Sequence, residues 1–266
     1  MKQILFVIVL TFGTLNLNAQ DTKQIDDYLT LLEENNKLMA TMTVTNEGNV
    51  AYQKAVGCAD VENNIKNTND TKFRIGSITK AFTAVMIFQL IDEEKLSLDT
   101  KLSDFFSEFP NATKITIANL LNHSSGLYNL TNDPKFGDWM LEKSTKNQML
   151  SRIKNYKLDF NPGEQTAYSN TNYLLLGYIV EALDKDIYSN ILKRRISNKI
   201  GLKNTYYGGK ISSKKNESHS YAIKNTKWNK QLETDMSNPG GAGAIVSTSA
   251  DLAKFITALF DNKLIT

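Results

Sequence analysis

Residues 73–91 read FRIGSITKAFTAVMIFQLI, and the character of the stretch changes at Ala81. From Ala81 to Ile91 the side chains are apolar almost all round, which predicts a helix buried on every face rather than an amphipathic surface helix. Ser77 stands where that helix begins, and Lys80 follows one turn later, so both side chains emerge on the same face. The first-turn amides of a helix lack intrahelical partners and can stabilise a developing oxyanion. Lys80 opens an otherwise apolar helix, where desolvation lowers an ammonium's pKa and makes the amine a plausible proton acceptor. Ser77 can also be read as a plain helix N-cap. The S-x-x-K spacing alone does not decide, because it recurs at Ser151–Lys154 and Ser212–Lys215. Those copies have Arg152 and Lys157, or Lys214, beside the lysine, and read as solvated surface.

A second element lies about ninety residues downstream. Tyr168-Ser169-Asn170 follows the turn Asn161-Pro162-Gly163-Glu164 and precedes an apolar helix from Tyr173 to Leu183. A tyrosine facing a lysine can share or pass a proton, since the ammonium favours the phenolate. An asparagine two residues later can donate to a substrate carbonyl and accept from the lysine. A buried tyrosine with a satisfied hydroxyl is the bland alternative. Tyr188-Ser189-Asn190 repeats the pattern inside an amphipathic segment, Asp186–Asn198, where Lys193, Arg194 and Arg195 are expected on the wet side.

Upstream, Met39 to Thr45 and Val50 to Val56 read as strands joined at Asn46-Glu47-Gly48-Asn49. A lone hairpin is rarely stable in water, so sheet partners are expected for it. A polar helix is expected over Asp21 to Asn36. Downstream, the Gly-rich turn Pro239–Gly243 leads into Ala244–Ser247 and a helix from Ala250 to Phe260.

Taken in order, these segments resemble the serine β-lactamase and penicillin-binding family, specifically class C β-lactamases, D-alanyl-D-alanine carboxypeptidases and their esterase relatives. The resemblance includes FRIGSITKAFTA, ITIANLLNHSSGL with its His123–Gly126 step, NPGEQTAYSNTNYLLLGYIVE, IGLKNT and GGAGAIVSTSADLAKF. It implies an α/β (α+β) fold with an antiparallel sheet flanked by helices and a mainly helical subdomain. Residues 20–80 and 241–266 would form the α/β part and 81–240 the helical part. It also implies an acyl-enzyme mechanism in which Ser77 is the nucleophile, Lys80 and Tyr168 are the base and acid in an order left open, and Asn170 binds substrate. His123 lacks the G-x-S-x-G elbow of a Ser-His-Asp hydrolase and is expected as packing. Glu164 belongs to the turn and is left out of the site.

Family members carry a third motif, K-T-G or H-x-G, on a late strand, and neither occurs here. The expectation is therefore a C-terminally truncated member whose last sheet strands are missing. The N-terminus, with Lys2, the apolar run Ile4–Leu10 and Ala19 at a small-residue cut, reads as a signal peptide over residues 1–19. That predicts a periplasmic or secreted protein with no membrane span in the mature chain.

Hydrophobic residues at 41%, charged residues at 22% and a net charge of +3 in 266 residues describe an ordinary globular chain. They give no reason to expect nucleic acid as a partner. One cysteine, Cys58, and two histidines, His123 and His219, offer no metal cluster, and no cofactor is expected. The expected function is hydrolysis of a β-lactam, a D-Ala-D-Ala peptide or a small ester, with a peptidoglycan-derived or other small molecule as substrate. The alternative is an inactive relative that binds peptidoglycan fragments or a protein partner. Nothing in the sequence indicates an oligomeric state.

Overall fold

The computed structural model describes residues 19–265. The leader reading over residues 1–19 lies, all but Ala19, outside the described residues. Helix Ala19–Glu34 is followed by an antiparallel hairpin, Ala40–Asn46 with Asn49–Val56. Its two-residue turn places Glu47 at φ 51° and Gly48 at φ 78°. Two positive φ values match the right-handed twist of the strands, and glycine at the second meets no steric penalty.

Among the described residues the hairpin forms a two-stranded sheet, and helices pack against it. Leu29, Tyr52 and Val56 make a small cluster with Ile25, Leu38 and Val44. Tyr52 also donates to the Asp26 carboxylate at 2.9 Å. Thr43 bonds Ser249 at 2.8 Å, which ties the hairpin to the helix Ser249–Phe260.

The main core is built on two helices whose sequences read as apolar all round. Helix Thr79–Asp92 buries Phe82, Met86, Ile87 and Leu90 completely, and helix Asn170–Asp184 does the same with Leu174, Leu175, Leu176, Ile179 and Val180. Phe82 stacks on Phe255 with ring centroids 3.8 Å apart, fastening helix Ser249–Phe260 to this core. Phe82→Ala would remove that stack and leave a cavity. We expect it to cost about 3–5 kcal/mol of unfolding free energy, measured by denaturant titration.

A three-stranded antiparallel sheet of order Phe73–Arg74, Ile245–Ser247, Tyr206–Tyr207 sits beside these helices. Phe73 pairs with Ser247 and Arg74 with Val246, and Ile75 N donates to Ile245 O at 3.0 Å. The chain entering Ser77 is thereby locked to the late Gly-rich segment. A further hairpin, Tyr221–Lys224 with Lys227–Lys230, and the pair Cys58–Asp60 with Ile65–Lys66 complete the small antiparallel sheets. The architecture is the mixed α/β arrangement expected from the sequence.

The segment after Asp186 differs in detail. It forms a short helix Tyr188–Leu192, a wider π-turn Lys193–Ser197 and a last turn Asn198–Ile200. The wider turn shifts the helical phase. Arg195, expected on the wet side, turns inward, where its guanidinium is bound by the carboxylates of Asp184 and Glu93. Among the described residues no helix is long and apolar enough to cross a membrane.

Candidate active site

Ser77 lies in a single 3-10 turn, Gly76–Ile78, that runs directly into helix Thr79–Asp92. Its hydroxyl caps neither element. The hydroxyl instead lies 2.7 Å from Tyr168 OH and 3.1 Å from Lys80 Nζ. The N-cap reading of Ser77 therefore fails on geometry.

Lys80 is only 7% exposed, and its three protons have three acceptors: Ser77 Oγ, Asn170 Oδ1 at 2.9 Å and the carbonyl of Ala242 at 2.8 Å. Its ammonium also lies 4.8 Å from the centre of the Tyr168 ring. Burial pushes the Lys80 pKa below the ordinary lysine range, with the Tyr168 hydroxyl opposing that shift. Tyr168 is 51% exposed, so the pair faces a solvent-open cleft from a buried floor.

Several side chains that the sequence reading did not single out hold this arrangement. Asn129 Oδ1 accepts from both the backbone N–H and the side-chain amide of Asn170, and Thr131 Oγ1 accepts from the same amide. These bonds turn Asn170 so that its carbonyl oxygen faces Lys80. The Ala242 carbonyl reaches Lys80 because glycines let its turn lie flat on the Asn170–Asp184 helix. A Cβ on Gly241 would sit 2.7 Å from Tyr173 O and 2.9 Å from Gly177 Cα. Asparagine or threonine at 129 and 131 carries no sequence signal of its own. The Gly240-Gly241 pair does, as a site of close backbone approach.

Ser77 and Asn170 open on a cleft of roughly 380 Å³ with Leu130, Phe136, Leu232 and Met236 in its walls. Arg74 also lines it, its charge met by Glu233 at 2.5 Å. A larger depression, roughly 650 Å³, lies between Gln89, Arg195 and Leu264, where Arg195 is already engaged by Asp184 and Glu93.

The competing motifs go elsewhere. Ser151 and Lys154 are exposed on helix Lys146–Lys154, and Lys214 and Lys215 are exposed in a 3-10 turn. Tyr188 is buried with its hydroxyl on Thr83, and Asn190 is exposed. Glu164 closes its own turn by accepting from Asn161. His123 packs its ring on Tyr168, at 4.6 Å between centroids, and its Nδ1 faces Ser169 N and Asn172 rather than Ser77.

Fold and site together set a serine, a lysine and a tyrosine at the edge of one cleft, and the chain belongs to the Beta-lactamase family, whose model matches residues 30–266. It is 27% identical over 251 residues to the teichoic acid D-alanine hydrolase of Staphylococcus aureus (strain MRSA252), covering 93% of this chain and 60% of that protein. FmtA from Staphylococcus aureus superposes with a TM-score of 0.82 at 25% identity, over 94% of this chain and 69% of that one. The D-amino acid amidase from Ochrobactrum anthropi SV3, complexed with D-phenylalanine, superposes at 0.79 with 26% identity, over 91% and 72%. The chain spans 55–60% of the length of the curated relatives it matches.

Proposed function

We propose that this protein is an exported serine hydrolase that works through an acyl-enzyme on Ser77, with a β-lactam, a D-Ala-D-Ala peptide or a small ester or amide as acyl donor. The observation that carries the reading is the placement of the Ser77 hydroxyl between Tyr168 OH and Lys80 Nζ. In the reaction Ser77 Oγ attacks the carbonyl carbon, and its proton passes to the Lys80–Tyr168 pair. The new C–O bond forms as the carbonyl π electrons move onto oxygen. Collapse breaks the bond to the leaving amine or alcohol, which takes the proton back from the pair. Water then repeats the sequence and releases the acid. Asn170 holds Lys80 through its Oδ1 and lines the cleft, and we assign it to substrate binding.

The relatives widen the list of acyl donors to amides and esters of D-amino acids, since one is named a teichoic acid D-alanine hydrolase and another a D-amino acid amidase. The second reading is a binding protein of the same fold without turnover. A fluorophosphonate probe separates the two. Stoichiometric labelling of the folded chain, blocked by prior exposure to a D-alanyl ester, D-phenylalanine amide or a penicillin, supports the hydrolase and names its acyl donor. A folded chain that resists the probe supports the binder.

A pH profile gives a further check. Because burial lowers the Lys80 pKa, its neutral amine is populated at lower pH than that of a free lysine. The acylation rate should rise with pH and level off below about 10.4, the ordinary lysine value. A rate still climbing through that pH would remove neutral Lys80 from the proton path.

A further inference from the structure

One residue outside the reacting trio touches both flanks of Tyr168. The backbone carbonyl of His123 accepts from Ala167 N at 3.0 Å, and its Nδ1 faces Ser169 N at 3.2 Å. Between those two bonds the imidazole ring packs against the Tyr168 ring at 4.6 Å, with Tyr173 at 5.2 Å from the same imidazole. The geometry requires φ 62° at His123, a left-handed conformation in which histidine, asparagine and aspartate are enriched among non-glycine residues.

The protonation of the ring follows from its partners. Ser125 Oγ donates to Asn172 Oδ1 at 2.6 Å, which leaves the Asn172 amide nitrogen to face His123 Nδ1 at 3.2 Å. Nδ1 thus meets two N–H donors, Ser169 N and Asn172 Nδ2, and must be an unprotonated acceptor. The ring is the neutral Nε2–H tautomer. Burial and the nearby Lys80 ammonium both lower its pKa and keep it neutral.

The rest of the His123–Gly126 turn continues the same surface. Ser124 O accepts from Gly163 N and Gly126 O from Asp159 N. Gly126, at φ 75°, lies so close to the Phe160 carbonyl that a Cβ there would overlap it. The whole 159–169 segment that delivers Tyr168 is therefore hung on this turn, and His123 holds its end.

We propose that His123 is a positioning residue that fixes the Tyr168 hydroxyl on Ser77 by clamping residues 167–169 and backing the phenol ring. This rests on the reading of Tyr168 as part of the proton-transfer pair. A displaced phenol would still leave the cleft intact, so the loss should fall on the acylation step rather than on binding. Displacements of about 1 Å at a reacting group can cost on the order of 10²-fold.

The test compares His123→Ala, His123→Asn and His123→Phe, with a fluorophosphonate and a chromogenic ester as probes. Asparagine keeps the left-handed preference and places an oxygen where Nδ1 stood; phenylalanine keeps the ring and loses the acceptor. The expected result is a roughly 10- to 100-fold lower acylation rate constant for His123→Ala, a smaller loss for His123→Asn, and an unchanged reversible-binding constant for the ester. Tyr168, followed by ¹³Cζ NMR in tyrosine-labelled protein, should shift in each variant. Wild-type acylation rates in folded His123→Ala and His123→Asn would overturn the proposal, as would losses confined to reversible binding. On the unaltered protein, ¹⁵N imidazole shifts should report an unprotonated Nδ1, and a protonated Nδ1 would overturn it without any variant. Failure of the underlying reading looks different: Tyr168→Phe would then acylate as fast as the wild type, whatever His123 does.

Discussion

Ser77→Ala is expected to abolish acylation, with a fall in rate on the order of 10⁶-fold, the size seen when the nucleophile of an acyl-transfer unit is removed. The reason is that the neighbours cannot replace it. Lys80 is committed to three acceptors and buried, and Tyr168 points its hydroxyl at the oxygen that the substitution deletes. The fold should survive, because the Ser77 side chain is exposed and caps no helix. Rates of fluorophosphonate and ester acylation, with circular dichroism to confirm folding, check this. Equal labelling of Ser77→Ala, lost instead on changing Ser151 or Ser212, would move the nucleophile elsewhere.

The second large effect concerns Lys80 and Tyr168 as a unit. Lys80→Ala and Tyr168→Phe should each lower acylation by about 10²–10⁴-fold, the usual worth of a positioned acid or base. The double variant should be little worse than the poorer single one. Both groups bond the same serine oxygen, and the lysine ammonium lies against the tyrosine ring. Residues acting on one proton are non-additive in this way. Additive losses in the double-mutant cycle would mean that the two act in separate steps.

Much of this site is legible in the sequence because its parts are local. Ser77 and Lys80 lie three residues apart where a 3-10 turn runs into helix Thr79–Asp92, and Tyr168 and Asn170 lie two apart at the start of helix Asn170–Asp184, so each pair is close in sequence. The two apolar helices announce the core by composition. What spacing does not reveal is the long-range support. Asn129 and Thr131 orient Asn170, and Ala242 offers a backbone oxygen that no residue type encodes. His123 read as packing; its hydrogen bonds to both flanks of Tyr168 depend on a fold that brings residues 123 and 168 together. Arg195 was misplaced because a π-turn interrupts the periodicity from which its exposure was inferred. The hairpin's need for partners was legible, but not that helices Ala19–Glu34 and Ser249–Phe260 would pack against it among the described residues.

The central claim is that the Ser77 hydroxyl, held by Tyr168 and Lys80, is the group that becomes acylated. The most direct measurement is intact-protein mass spectrometry after incubation with a fluorophosphonate or a penicillin, followed by peptide mapping of the adduct. The account predicts one adduct per chain, on the peptide containing Ser77, with none formed by Ser77→Ala. An adduct mapped to Ser151, Ser212 or any other side chain of the folded protein would contradict it.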